Sequence, residues 1–385
     1  MAEYYGGYDR KSDGKSNFSI CVRFFDGLMI LLSVITVVAV LFTYIAPYVN
    51  PASSWIFSIF GLVAPATYFA LLLLTLYWVI RWRWIPASVL LVLLFVGLFK
   101  VSLFYKPEFK RIYVEPAYNE RDMMKFMTYN VRNFFGQDGQ SSADDVLRLV
   151  ANENPDILCM QEFNPTLFES SKGYKSFMES YLYRAGGTKT DMETAPLAIY
   201  SKYPVLHWGH SREGIPANGF RESIWADVRV ADDTVRVFNN HLHSTAINAS
   251  DDEFITKHQY ISDTARDLKI RSIVKRFRDN SILRAEEVDS IAQFIQSTHY
   301  ARIVCGDFND TPMSYVYRAM AEGLNDAFRE CGVGYSHTFR GFFNTLRIDF
   351  VLSSDDFESL SYEVQDVDYS DHHPVIVRLK YTPRH

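Results

Sequence analysis

Three stretches without a charged side chain, 27–49, 55–80 and 84–99, constrain this chain more than anything else in its sequence. A helix rises about 1.5 Å per residue, so roughly 20 apolar residues match the hydrocarbon thickness of a bilayer. A buried core helix could account for one such run. Three in succession, without an amphipathic stripe, predict three transmembrane helices. The third run is the shortest, and we extend it to Tyr105, with Lys100 reaching back toward the headgroups. The first run is too long for a cleaved signal peptide, and others follow it.

Loop charges give these helices a direction. Arg10, Lys11, Lys15 and Arg23 precede the first run, and Arg81 and Arg83 separate the second from the third, whereas 50–54 carries no charge. Basic residues concentrate on the cytoplasmic side, which places the N-terminus and the Arg81 loop there. Three crossings then leave everything after Tyr105 extracytoplasmic, periplasmic in a Gram-negative cell. Lys100, Lys106, Lys110 and Arg111 on that outer flank run against the pattern. Four segments follow: a cytoplasmic 1–26, a membrane region 27–105, a linker 106–119 holding Pro107 and Pro116, and one large domain 120–385.

Charge divides at the same boundary. Residues 1–111 carry a formal +5 and the whole chain −6, leaving −11 on 112–385. Binding to DNA is driven largely by neutralising phosphates, so an acidic domain is a poor generic match to it. The basic flank beside the membrane suits anionic headgroups, although topology signals look the same. Cys21, Cys159, Cys305 and Cys331 show no paired spacing that would suggest zinc or a disulfide framework.

Beyond Met124 apolar runs of strand length alternate with helical stretches. Strands are expected at 125–131, 156–163, 196–201, 223–230, 234–241, 301–307, 346–352, 362–367 and 374–380. Helices are expected at 143–153, 253–279 and 284–298, the last with an apolar stripe of Val288, Ile291, Ala292 and Ile295. Many strands with interspersed helices suit two packed sheets with helices outside.

Five short signatures end strand-like runs: T-Y-N-V-R from Thr128, M-Q-E-F from Met160, N-H-L-H-S from Asn240, G-D-F-N-D from Gly306 and S-D-H-H-P-V from Ser370. Glu162 closes an apolar strand, where a carboxylate is costly unless it binds a cation or accepts hydrogen bonds. Magnesium is the natural cation for hard oxygen ligands, and a structural salt bridge is the plainer reading. Asp307 can orient or deprotonate a water. Asn309, on the same side of an extended chain, can donate to phosphoryl oxygens; alone, the same residues would also make a turn. Asp371 and His372 precede another apolar strand and can serve a metal and a phosphate together, with Pro374 stiffening the turn.

The order and wording of these signatures resemble the endonuclease/exonuclease/phosphatase superfamily over residues 120–383. The resemblance implies an α/β fold, the DNase I-like four-layer α/β sandwich, here preceded by three transmembrane helices. It implies that Asn130 supports the metal or the catalytic aspartate and that His241 lies at the phosphate, with His243 sharing its strand parity. Arg347-Ile348-Asp349 resembles a signature whose aspartate pairs with the catalytic histidine, which fixes the tautomer and favours imidazolium. Asp349 could otherwise cap a strand. The same comparison selects His372 rather than His373. One departure stands out: some nuclease branches carry an aspartate two residues after the first asparagine, and here Arg132, a candidate phosphate-binding cation, takes its place.

The sequence therefore predicts a membrane-anchored phosphodiesterase or phosphatase dependent on Mg²⁺, with Mn²⁺ as a substitute. Asp307, His372, His241, Asn309 and Asp349 are its expected catalytic group, and Glu162, Asn130 and Asp371 its metal ligands. Its expected partners are a phosphate ester, a lipid headgroup or another surface-borne diester, and the bilayer through 27–105; nucleic acid is not favoured. The alternatives are an extracytoplasmic nuclease and an inactive scaffold of the same fold. Specificity is expected in loops such as 209–222 and 245–260.

Overall fold

The computed structural model describes residues 12–108, 123–188, 196–211, 223–245, 251, 254 and 263–382. Arg10, Lys11, Lys110, Arg111, most of the 106–119 linker and most of both specificity loops lie outside these residues. The chain forms two compact units, Met1–Tyr44 with Val63–Lys100, and Ile45–Leu62 with Val101–His385.

The first unit is built from helices α1 (Ser12–Ile45), α3 (Ala64–Ile80) and α4 (Trp84–Val101); α2 (Ile56–Leu62) belongs to the second. Val40, Leu71, Leu74, Trp78, Ala87 and Leu90 pack at the helix interfaces. Few polar groups enter this unit, and they find partners. Trp78 Nε1 donates to Ser33 Oγ at 2.8 Å, and Tyr44 donates to the Leu93 carbonyl at 2.6 Å. At one end Arg81 pairs with Asp26 at 2.9 Å. The outward faces stay apolar at Ile35, Phe69, Val92 and Phe95, where a helix facing water would carry polar residues. Two helices are long and apolar enough to cross a membrane, Val22–Tyr48 and Trp84–Val101, with a third if α2 and α3 count as one bent span. The single helix expected over the second run is therefore broken. Val63 separates α2 from α3, and a proline, which cannot donate to a helical ladder, stands in the first turn of α3.

The second unit holds two six-stranded sheets. In chain order its elements are β1 (Tyr105–Lys106), β2 (Met123–Asn130), α5 (Ala143–Glu153), β3 (Ile157–Gln161), α6 (Pro165–Ser170), α7 (Tyr174–Ser180), β4 (Tyr183–Gly186), β5 (Leu197–Ser201), β6 (Val205–His210), β7 (Ser223–Val230) and β8 (Asp233–His241). There follow α8 (Asp263–Ser297), β9 (Ala301–Asp307), α9 (Tyr315–Met320), β10 (Asn325–Asp326), α10 (Ala327–Cys331), β11 (Gly334–Tyr335), β12 (Asp349–Ser353), β13 (Phe357–Val364) and β14 (Val375–Tyr381). One sheet runs β13-β14-β2-β3-β5-β4 and the other β10-β12-β9-β8-β7-β6, while β1 pairs with β11.

Side-chain parity explains the layering. In β3 every residue is buried: Ile157 and Cys159 enter the core between the sheets, and Leu158 and Met160 pack under α5 and α7. A strand apolar on both faces must be covered on both. On the other side α8 lays Phe294 against Phe238 of β8, ring centroids 5.8 Å apart. Helix, sheet, sheet and helix are the four layers that the resemblance implies. Residues 263–297 form one helix where the sequence suggested a break near 280; they contain neither glycine nor proline, and Ser281 is buried against the domain.

Candidate functional site

Strand register gathers the site. Across the second sheet Asp307 of β9 lies opposite His241 of β8 on one side and Asp349 of β12 on the other. In the facing sheet β2 and β3 end together at Asn130 and Gln161, and Glu162 follows directly. The sandwich thus brings four of the five signatures to one edge, and the turn before β14 adds Asp371 and His372.

Asp307, 1% exposed, is the hub. Its carboxylate accepts from Asn130 Nδ2 at 3.0 Å, from the Asn309 backbone N–H at 2.8 Å and from Asn309 Nδ2 at 3.2 Å. His241 Nε2 stands 3.7 Å from it and His372 Nε2 3.6 Å. Burial raises the Asp307 pKa, and the two imidazoles only partly offset that. Burial alone would lower the pKa of His372, but the carboxylates of Asp349 and Asp307 outweigh it and push the value up to about 10. The Asp349 pairing is direct: its Oδ2 lies 2.9 Å from His372 Nδ1.

Backbone conformation is strained where the function would need it. Glu162 has φ +50, a left-handed value that a glutamate rarely adopts, whereas Asn309 at φ +53 is a residue type that tolerates it. Gly306 at φ +119 is obligatory, because a Cβ there would lie 2.0 Å from the Asn240 carbonyl oxygen. This close approach lets β9 deliver Asp307 beside His241.

Each expected residue has a definite place. Asn130 also donates to Glu162 Oε1 at 3.4 Å, and Glu162 Oε1 lies 3.6 Å from His241 Nε2. Arg132 is at the open side, its Nε 3.5 Å from Asp371 Oδ2. Asn309 differs from expectation: Nδ2 donates to the Leu242 carbonyl at 3.0 Å and to Asp307, so the amide positions the aspartate. His243, despite its parity, turns toward α8, with Nε2 3.2 Å from Asn280 Oδ1. Buried Arg347 is structural, forked onto Asp326 at 2.9 and 3.1 Å.

Two buried amides escaped the sequence reading. Gln161 Nε2 donates to Asn239 Oδ1 at 2.6 Å and Thr128 Oγ1 at 2.9 Å, and Asn239 Nδ2 donates to the Met160 and Ala198 carbonyls. This network ties the two sheets together directly beneath the site. Asn239 shares the parity of His241, the one signal that could have revealed it.

The oxygen-rich set formed by Glu162, Asn130, Asp307 and Asp371 has the donor chemistry of a hard divalent cation. Among the described residues, Asp307, Asp349 and His372 offer ligand atoms within 4.8 Å of one another. The Asp349–His372 hydrogen bond accounts for much of that closeness. Asp349 Oδ1 nevertheless remains buried without a hydrogen-bond partner, an oxygen that a cation or water could satisfy. The cluster therefore fits a metal. The cleft above it has a polar floor that includes Glu162, Asp307, Asn309, Asp371 and His372, and apolar walls from Leu62, Phe277, Phe339, Phe342, Leu346 and Ile348.

Similar solved structures include an endonuclease/exonuclease/phosphatase family protein from Bacteroides thetaiotaomicron, at 19% identity over 68% of this chain and 98% of that one, TM-score 0.45. A mannosyl-6-phosphatase from Bacteroides thetaiotaomicron VPI-5482 matches at 20% identity over 66% and 99%, TM-score 0.46. Humanized D. rerio TDP2 matches at 14% over 67% and 99%, TM-score 0.47. No curated protein matches the chain. A domain family of unknown function matches residues 26–103. The Endonuclease/Exonuclease/phosphatase family model matches residues 127–372, well over half of the chain. The chain belongs to the endonuclease/exonuclease/phosphatase family and is a hydrolase of phosphoester bonds.

Proposed function

We propose that the protein is a membrane-anchored, divalent-metal-dependent phosphodiesterase or phosphatase acting on a phosphate ester presented at a membrane surface. The observation that carries this reading is Asp307, a buried carboxylate with Asn130 and Asn309 donating to it and two imidazoles within 3.7 Å. Asp307 receives a proton from the attacking water as the water oxygen bonds to phosphorus. The ester P–O bond breaks on the opposite side, where the leaving oxygen takes a proton from solvent, while His372, which Asp349 keeps charged and whose Nε2 lies beside Asp307, donates to a phosphoryl oxygen. His241 faces the charge that builds on the phosphoryl oxygens, and Arg132 steadies the phosphate from the open side. Mg²⁺, or Mn²⁺ in its place, held by Glu162, Asn130 and Asp371, would act as a Lewis acid toward the phosphoryl group.

The anchor is α1, α3 and α4, with basic residues favouring a cytoplasmic N-terminus and an extracytoplasmic catalytic domain. The formal −11 on residues 112–385 argues for a lipid or other surface-borne ester over DNA. The test is hydrolysis by full-length protein in detergent, with and without Mg²⁺, of a chromogenic diester, DNA, RNA and phospholipid vesicles. Asp307→Ala and His372→Ala should each lower turnover by about 10³-fold or more with nearly unchanged Tm. Retained turnover in both would overturn the assignment, and loss of folding in both would make these positions structural.

A further inference from the structure

The catalytic unit contains a piece of chain from the apolar region. Residues 45–62 lie between Tyr44, the last residue of one part of the helical unit, and Val63, the first of the next, yet they pack with the catalytic domain. Tyr48 lies under the Arg318 guanidinium, 4.9 Å from its ring centroid, and Asn50 donates to Asp289, which also accepts from Tyr315. Thr311, four residues past Asp307, donates to the Gly61 carbonyl at 3.0 Å. A Cβ on Gly61 would stand 2.5 Å from the Met313 carbonyl oxygen, so this approach requires glycine. The next residue, Leu62, reaches the catalytic cleft.

We infer that residues 45–62 are a substrate-selecting wall, and that the substrate is the phosphate ester of a membrane lipid whose apolar part leaves the cleft along Leu62 and Phe342. This rests on the phosphoester-hydrolase reading above. Both ends of this segment are covalently continuous with apolar helices, α1 before it and α3 after it. Phe342, which also lines the cleft, and its neighbour Phe343 are held at φ +52 and +61, and Phe343 is 70% exposed. Strain that keeps Phe342 in the cleft lining and leaves the neighbouring Phe343 exposed suits contact with acyl chains. A nucleic acid would need cations along its path, but among the described lining residues Arg284, the one arginine, is held by Asp310 at 3.4 Å and donates to the His243 carbonyl.

The experiment compares two substrates for the full-length protein in proteoliposomes: a phospholipid in mixed phosphatidylethanolamine/phosphatidylglycerol vesicles and a soluble chromogenic phosphodiester. Leu62→Ala should lower kcat/KM for the lipid about tenfold more than for the soluble diester, since it removes apolar contact that only the lipid makes. Leu62→Met should restore most of the loss. Phe342→Ala, at another apolar residue of the cleft lining, should move the ratio in the same direction and covers the case in which the Leu62 variant misfolds. Equal loss on both substrates, or turnover of the soluble diester with none of the lipid, would overturn this inference and leave the hydrolase reading standing. Wild-type silence on both substrates would remove both.

Discussion

The floor and the rim of the catalytic cleft are built by different means. The floor is set by hydrogen-bonded register: His241, Asp307 and Asp349 sit opposite one another because their three strands pair residue for residue. The rim has no such ruler. Leu62 follows Gly61, whose hydrogen-bond partner Thr311 lies 250 residues further along, and Phe342 comes from a strained turn. Chemistry is thus placed by the sandwich itself, and substrate choice by pieces that can change without disturbing it.

The largest blow to that division is Gly306→Ala, which attacks the floor through its scaffold. A Cβ placed 2.0 Å from the Asn240 carbonyl, at a φ of +119, should cost about 3 kcal/mol or more of stability, read by thermal denaturation. A variant as stable as the parent would show that β8 and β9 do not need this approach. Asp349→Asn should leave the fold intact and lower turnover about a hundredfold. It also tests a sign: His372 is charged below its pKa, and Asp349 helps to push that pKa up to about 10. Removing the carboxylate lowers it, so the alkaline fall in activity should move to lower pH. An unmoved alkaline limb would mean that His372 does not act as imidazolium. The smallest effect belongs to Arg132→Ala, at the solvent edge of the floor, with its side chain 41% exposed. We expect KM to rise about threefold with kcat nearly unchanged, as for a screened surface charge.

How far the sequence could be read follows the same division. The floor was legible because polar residues at the ends of apolar runs are conspicuous; Glu162 and Asp307 announce themselves by interrupting buried strands. Their partners were harder. The two amide protons of Asn309 can serve either a phosphate or a neighbouring carboxylate, and only the turn geometry gives them to Leu242 and Asp307. Asn239 and Asn240 are the same residue type, and strand parity alone puts one between the sheets and the other against Cys305. The rim was illegible. Residues 50–54 read as an uncharged loop, and nothing in 55–80 marks Leu62 as different from the leucines of α3. Its role depends on contacts made far along the chain, which leave no local pattern.

That distant contact has a consequence for how the protein is made. The catalytic unit is discontinuous, with 63–100 excursing into the other unit between its two pieces. During synthesis residues 45–62 emerge before Thr311 and Met313 and must wait for them, by which time all the apolar helices have been made. Completion of the cleft rim therefore waits for residues in the last quarter of the chain. On the proposed reading, a chain in which this contact fails to form should carry every reactive residue and still lack the surface on which its substrate is chosen.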